Sequence, residues 1–85
     1  MTYRLVIKPS AGKELERLDD QVLRRIDAAI LRLKENPQSQ GAKKLTGVPL
    51  YRIRVGTYRV VYEIDNVRKQ ITVVTIGHRR EVYRR

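Results

Sequence analysis

Residues 51–62 read YRIRVGTYRVVY, and this stretch decides the fold. Before Gly56-Thr57, Tyr51, Ile53 and Val55 alternate with Arg52 and Arg54; after it, Tyr58, Val60 and Tyr62 alternate with Arg59 and Val61. Strict period-two alternation marks two half-buried strands, and Gly-Thr suits a two-residue type II′ turn. The turn fixes the register, so Val55 faces Tyr58, Ile53 faces Val60 and Arg54 faces Arg59. One face is apolar and packs on a core. The other sets two arginines directly opposite each other, an arrangement that costs about 0.2–1 kcal/mol. A bridging anion removes that cost, and the arginine fork grips phosphate oxygens bidentately. A solvated basic face, partly neutralised by Glu63, is the plainer reading of the same residues.

On either side of the hairpin the pattern extends to a whole domain. The turn at Asp65-Asn66 predicts a third strand over 70–77. Upstream, residues 2–8 (TYRLVIK) predict a strand with Tyr3, Leu5 and Ile7 on one face. Ser10 after Pro9 is a candidate N-cap for a helix to about Leu18. Asp19-Asp20 caps a second helix over about 20–35. In it Leu23, Ile26, Ile30 and Leu33 recur at helical spacing as a core-facing stripe, and Asn36-Pro37 ends it. Residues 38–49, polar and glycine-containing, read as a connection. The predicted order is β-α-α-β-β-β: one α+β domain over 1–85, with a helical hairpin on one face of a mostly antiparallel sheet.

The bulk properties narrow the function classes. The chain has 85 residues, a net charge of +10 and no cysteine, which excludes disulfides and cysteine-ligated metals. No apolar run reaches the roughly 20 residues of a membrane span, and MTYRLVIKPSAGK has no signal-peptide pattern, so the expected place is the cytoplasm. Residues 1–49 carry ten basic and six acidic residues, and residues 50–85 carry nine and three. The excess is therefore concentrated in the C-terminal part, as arginine. Such a field favours nucleic acid, an anionic membrane or an acidic protein partner.

Other chemistry has little support. A single histidine makes no His-rich metal site, and Glu63, Asp65 and Glu81 have no metal-ligand spacing. No cofactor is expected: the five glycines are isolated and form no phosphate loop. Tyr51, Tyr58 and Tyr62 alternate with core residues and read as core. The segment GHRREVYRR, residues 77–85, brings His78, Arg79, Arg80 and Tyr83 to the sheet edge, either beside the arginine face or as a basic tail.

KKLTGVPLYRIRVGTYRVVYEID followed by ITVVTIGHRREVYRR resembles the RelE branch of the RelE/ParE toxin superfamily. The resemblance covers nearly the whole chain. Its most specific parts are L-x-G, Y-R-I-R, Y-R-V-V-Y and G-H-R-R-E-V-Y. It implies the toxin of a toxin–antitoxin pair, a metal-independent endoribonuclease that cuts mRNA in the ribosomal A site by attack of a ribose 2′-hydroxyl on the adjacent phosphate. Arg59 then matches the arginine that stabilises the transition state, Arg79 the arginine near the leaving oxygen, and Tyr83 the tyrosine that orients or stacks at the reacting nucleotide. Arg52 and Arg54 match positions that are lysines in the best-known member. Arginine stays protonated, so their expected roles are electrostatic. His78 is the natural candidate for proton transfer near neutral pH, and Glu63 a lesser one.

Lys8, Lys13, Arg24, Arg25, Lys43, Lys44 and Arg80 are candidates for RNA backbone contacts, against ordinary surface charge as the alternative. The partners the resemblance implies are the ribosome with its mRNA and ribosomal RNA, and an acidic antitoxin with an amphipathic segment. No metal or membrane is expected. The rival readings are a ParE-like DNA gyrase inhibitor without nuclease activity and a catalytically weak RNA- or antitoxin-binding domain.

Overall fold

The computed structural model describes residues 2–38 and 41–78. In chain order the elements are β1 (Arg4–Ile7), α1 (Pro9–Glu16), α2 (Asp20–Glu35), β2 (Lys43–Lys44), β3 (Tyr51–Val55), β4 (Tyr58–Asp65) and β5 (Gln70–His78). The strands form one five-stranded sheet ordered β1-β5-β4-β3-β2. β1 runs parallel to β5 and the other pairs are antiparallel. The two helices therefore carry the chain from one sheet edge to the other.

Local chemistry explains the helix limits. Pro9 opens α1 because its fixed φ is already helical and its missing N–H needs no partner. Lys8 before it is extended (φ −63°, ψ 150°) and occupies the cap position without a side-chain hydrogen bond. Ser10, the expected cap, lies inside the helix, and its hydroxyl points to the Val74 carbonyl at 3.5 Å. α2 is capped as expected: the Asp19 carboxylate accepts from the Val22 N–H at 3.0 Å. Its stripe buries Ile26, Ile30 and Leu33 against Ile53, Val60 and Ile71 of the sheet, with Leu23 half-buried at its upper end.

The β3–β4 hairpin takes the expected register, including Arg54 opposite Arg59. Gly56 has φ 62° and Thr57 does not enter the left-handed region, which fits a turn with glycine in its first central position. Tyr62 is wholly buried and its hydroxyl donates to the Pro37 carbonyl at 2.6 Å, tying β4 to the end of α2. Tyr51 stacks on it at a centroid distance of 6.0 Å.

Two features depart from simple alternation. β2 forms within the segment read as a connection: Lys43 pairs with Arg52 and Lys44 with Tyr51. A strand of two lysines leaves no readable period. β5 carries a bulge, with Val61 opposite Thr75 but Tyr62 opposite Val73, so that Val74 has no partner. Before the bulge Ile71 and Val73 face the core; after it Ile76 does. The extra residue resets which face each side chain takes. The Glu14 carboxylate of α1 holds this segment, its Oε1 accepting from the Ile76 N–H at 2.8 Å and the Thr75 hydroxyl at 3.0 Å.

Candidate nucleic-acid interface

The register arranges the basic side chains in rows on the face of the sheet turned away from the helices. Lys43, Arg52, Val61 and Thr75 lie opposite one another across β2, β3, β4 and β5. The next row is Arg54, Arg59 and Gly77. Successive rows on one face are about 6.8 Å apart, two strand residues. Four cations thus share a small area of one face.

These cations differ in burial. Arg52 is 7 % exposed and Arg59 8 %, whereas Arg54 and Lys43 are exposed. The solvated-face reading therefore fails for the two central arginines and holds for Arg54 and Glu63. Arg52 Nη1 donates to the Gly41 carbonyl at 3.3 Å, which fixes its direction. A guanidinium keeps its charge when buried. Its field is also less screened there than in bulk water, so Arg52 and Arg59 act on an approaching anion more strongly than surface lysines do.

Beside Arg52 the face sinks into a groove of about 540 Å³. Leu45, Val48, Leu50, Val61 and Val74 supply its apolar lining, and Lys43, Lys44 and Arg52 its charge. The loop that forms its wall closes through the Leu45 N–H to the Leu50 carbonyl at 2.8 Å, with Gly47 at φ 80°.

His78, the candidate for proton transfer, pairs with Tyr58, and its ring meets the Tyr58 ring edge to face at 6.0 Å. Side chains alternate along a strand, so His78 stands on the helix side of the sheet, and Gly77 is the residue opposite Arg59. Glu63 is on the open face but pairs with Thr72, one row beyond Val61 and two beyond Arg59. Arg24 and Arg25 are exposed on α2, and Lys8 and Lys13 are exposed at α1. Arg79, Arg80, Glu81 and Tyr83 lie outside the described residues. Among the described residues no three acidic or histidine side chains gather as metal ligands, and no helix is long and apolar enough to cross a membrane.

Sequence reasoning missed Glu14 and the β5 bulge. The signal was present in ITVVTI, residues 71–76, where apolar residues at 71 and 73 give way to 74 and 76.

Comparison with known proteins agrees with this architecture. Residues 5–83 match the family model described as the ParE toxin of type II toxin–antitoxin systems. Toxin RelG of Mycobacterium tuberculosis is 28% identical over 89 aligned residues, covering 100% of both chains. The archaeal RelE–RelB complex from Pyrococcus horikoshii contains a chain 31% identical to this one, with a TM-score of 0.84 over 95% of this chain and 99% of that one. The isolated E. coli RelE toxin is 29% identical with a TM-score of 0.80, over 95% of this chain and 90% of that one.

Proposed function

The chain belongs to the ParE toxin family of type II toxin–antitoxin systems and has the RelE fold, and from this premise we propose that it is a ribosome-dependent endoribonuclease acting on mRNA in the ribosomal A site. The observation that carries the reading is the placing of two nearly buried arginines, Arg52 and Arg59, on an open sheet face with Arg54 and Lys43 beside them.

Transesterification at a phosphodiester suits such a face. The ribose 2′-oxygen attacks the neighbouring phosphorus, the P–O5′ bond breaks, and negative charge grows on the non-bridging oxygens. Arg59 holds those oxygens with its fork, and its charge is worth most where it is least solvated. Arg52 and Arg54 hold the flanking phosphates. Arg79 faces the leaving 5′-oxygen and Tyr83 stacks on the reacting base, as the family resemblance implies. None of the three arginines on the open face takes the 2′-hydroxyl proton; that proton passes to water, the leaving 5′-oxygen takes one from water, and His78 stands on the opposite face.

The partner that masks this face is an antitoxin. The groove beside Arg52 suits an amphipathic segment with apolar residues against Leu45, Val48 and Val74 and carboxylates at Lys43 and Lys44. The structures of RelE–RelB complexes among the relatives support a partner of this kind.

Primer extension on mRNA bound to programmed ribosomes tests the proposal. Wild type is expected to give discrete A-site cuts. Arg59→Ala is expected to cut at least ~100-fold more slowly, the scale of losing one transition-state charge partner, and Arg59→Lys to fall between, since it keeps the charge without the fork. Equal cleavage by wild type and Arg59→Ala overturns the site. Inhibition of gyrase supercoiling without any RNA cleavage replaces the proposal with the gyrase reading, which the ParE name of the matching family favours.

A further inference from the structure

Beyond the cleavage face, a second group of arginines lies where α2 meets the β3–β4 turn. Arg25, Ala28 and Arg32 follow one another at i, i+3 and i+7 on α2, so they share one helix face. With Arg54, Val55 and Gly56 they line a hollow of about 310 Å³. All three arginines are exposed, and among the described residues no carboxylate lines the hollow. Among the described residues none of the three guanidiniums makes an ion pair or a hydrogen bond. The Arg25 guanidinium lies over the turn: a Cβ built on Gly56 comes 3.4 Å from its Nη2.

We propose that this hollow is a second phosphate site, which holds the backbone of an RNA strand as it leaves the Arg59 face around the edge of β3. The inference rests on the RNA reading above. β2 pairs only with Tyr51 and Arg52, so among the described residues no strand flanks β3 at 53–55 on that side. Arg54 sits on this free edge. It pairs with Arg59 on one side and borders the hollow on the other.

The basic surface is thus continuous from the face that holds the scissile phosphate to Arg25 and Arg32. Those two residues are about 10 Å apart along the helix, seven residues at 1.5 Å each. A strand with a charge at every nucleotide can meet both, and doing so relieves the repulsion among three unneutralised guanidiniums. Ala28 between them adds little bulk at the middle of the hollow. An acidic peptide is the less favoured occupant, because the apolar groove that suits one lies at β2, next to Lys43 and Lys44.

The test is the salt dependence of binding to a short fluorescent single-stranded RNA whose 2′-oxygens are methylated against cleavage, read by anisotropy. Each phosphate neutralised on a single strand contributes about 0.7 to the slope of log K against log salt. Arg25→Ala/Arg32→Ala is expected to lower that slope by about 1.4, and Arg25→Lys/Arg32→Lys to leave it near wild type. Arg17→Ala/Arg68→Ala, which removes two exposed cations elsewhere, is expected to change it much less. Circular dichroism checks that α2 stays folded in each.

A slope for Arg25→Ala/Arg32→Ala equal to wild type, or matched by the Arg17/Arg68 control, overturns the proposal. Unchanged RNA binding with lost affinity for an acidic peptide overturns it too, and makes the hollow a carboxylate site. If Arg59→Ala abolishes ribosomal cleavage while the Arg25/Arg32 slope is unchanged, only this inference falls. If wild type shows no salt-dependent RNA binding, the inference falls together with the RNA reading.

Discussion

Replacing Glu14 tests how the arginine face is held in register. One carboxylate oxygen accepts both the Ile76 N–H at 2.8 Å and the Thr75 hydroxyl at 3.0 Å. The Ile76 N–H cannot turn to water, because Ile76 is 1 % exposed. A hydrogen bond to a charged group contributes about 1.5–3 kcal/mol, and a buried donor left without a partner costs a similar amount. Both bonds end on one oxygen of a half-buried residue, so their contributions overlap. Glu14→Ala is therefore expected to destabilise the fold by about 2–3 kcal/mol, or roughly 10–20 °C in Tm for a domain of this size. Glu14→Gln keeps an acceptor and is expected to cost about 1 kcal/mol. Urea denaturation gives the energies, and hydrogen exchange locates the effect, with the Ile76 amide exchanging faster in Glu14→Ala. The bulge that Glu14 holds sets Gly77 opposite Arg59, and loss of the bulge shifts every later residue of β5 to the other face. The ribosomal cleavage proposed for this face is therefore expected to fall in Glu14→Ala even at a temperature where the variant is folded. Stability within about 0.5 kcal/mol of wild type, with the Ile76 amide unchanged, refutes the reasoning.

Two further predictions concern the hairpin. Burial, then the neighbouring Tyr51, pushes the Tyr62 hydroxyl up to about 12 against the opposing pull of Arg52. Its folded value lies above its unfolded value of about 10, so the stability it contributes is complete below pH 10 and is lost as pH rises through 12. Tyr62→Phe is expected to cost about 1–2 kcal/mol at neutral pH, through the bond lost at the Pro37 carbonyl, and to flatten the alkaline fall in a pH series of urea melts. An alkaline fall that is as steep in Tyr62→Phe assigns it to another group. Gly56→Ala places an alanine at φ 62° and a Cβ 3.4 Å from Arg25 Nη2, with an expected loss of about 1–2 kcal/mol. The same loss in an Arg25→Ala background shows that backbone conformation sets the cost, because a flexible side-chain tip can move aside; relief by Arg25→Ala shows that crowding does.

The sequence by itself determined whatever rests on short-range periodicity. Alternation through YRIRVGTYRVVY specified the hairpin, its register and the Arg54–Arg59 pair, because a two-residue turn leaves one pairing that buries the apolar set. The 3.6-residue stripe, Asp19 and Asn36-Pro37 specified α2 nearly to the residue. At α1 the neighbouring signals of Pro9 and Ser10 competed. Proline won, because its ring fixes φ whereas a serine cap contributes only about 1 kcal/mol.

The tertiary structure decided whatever needs a partner far along the chain. β2 is a strand only because β3 offers its edge, and β1 runs parallel to β5 because the helices return the chain across one face. The bulged segment of β5 is held by Glu14, 62 residues before Ile76. That bulge, and no property of the histidine itself, sets His78 beside Tyr58 and leaves Gly77 opposite Arg59. Burial of Arg52 and Arg59 is likewise invisible to alternation, which tells one face from the other but not how deeply the surrounding chain closes over a charge.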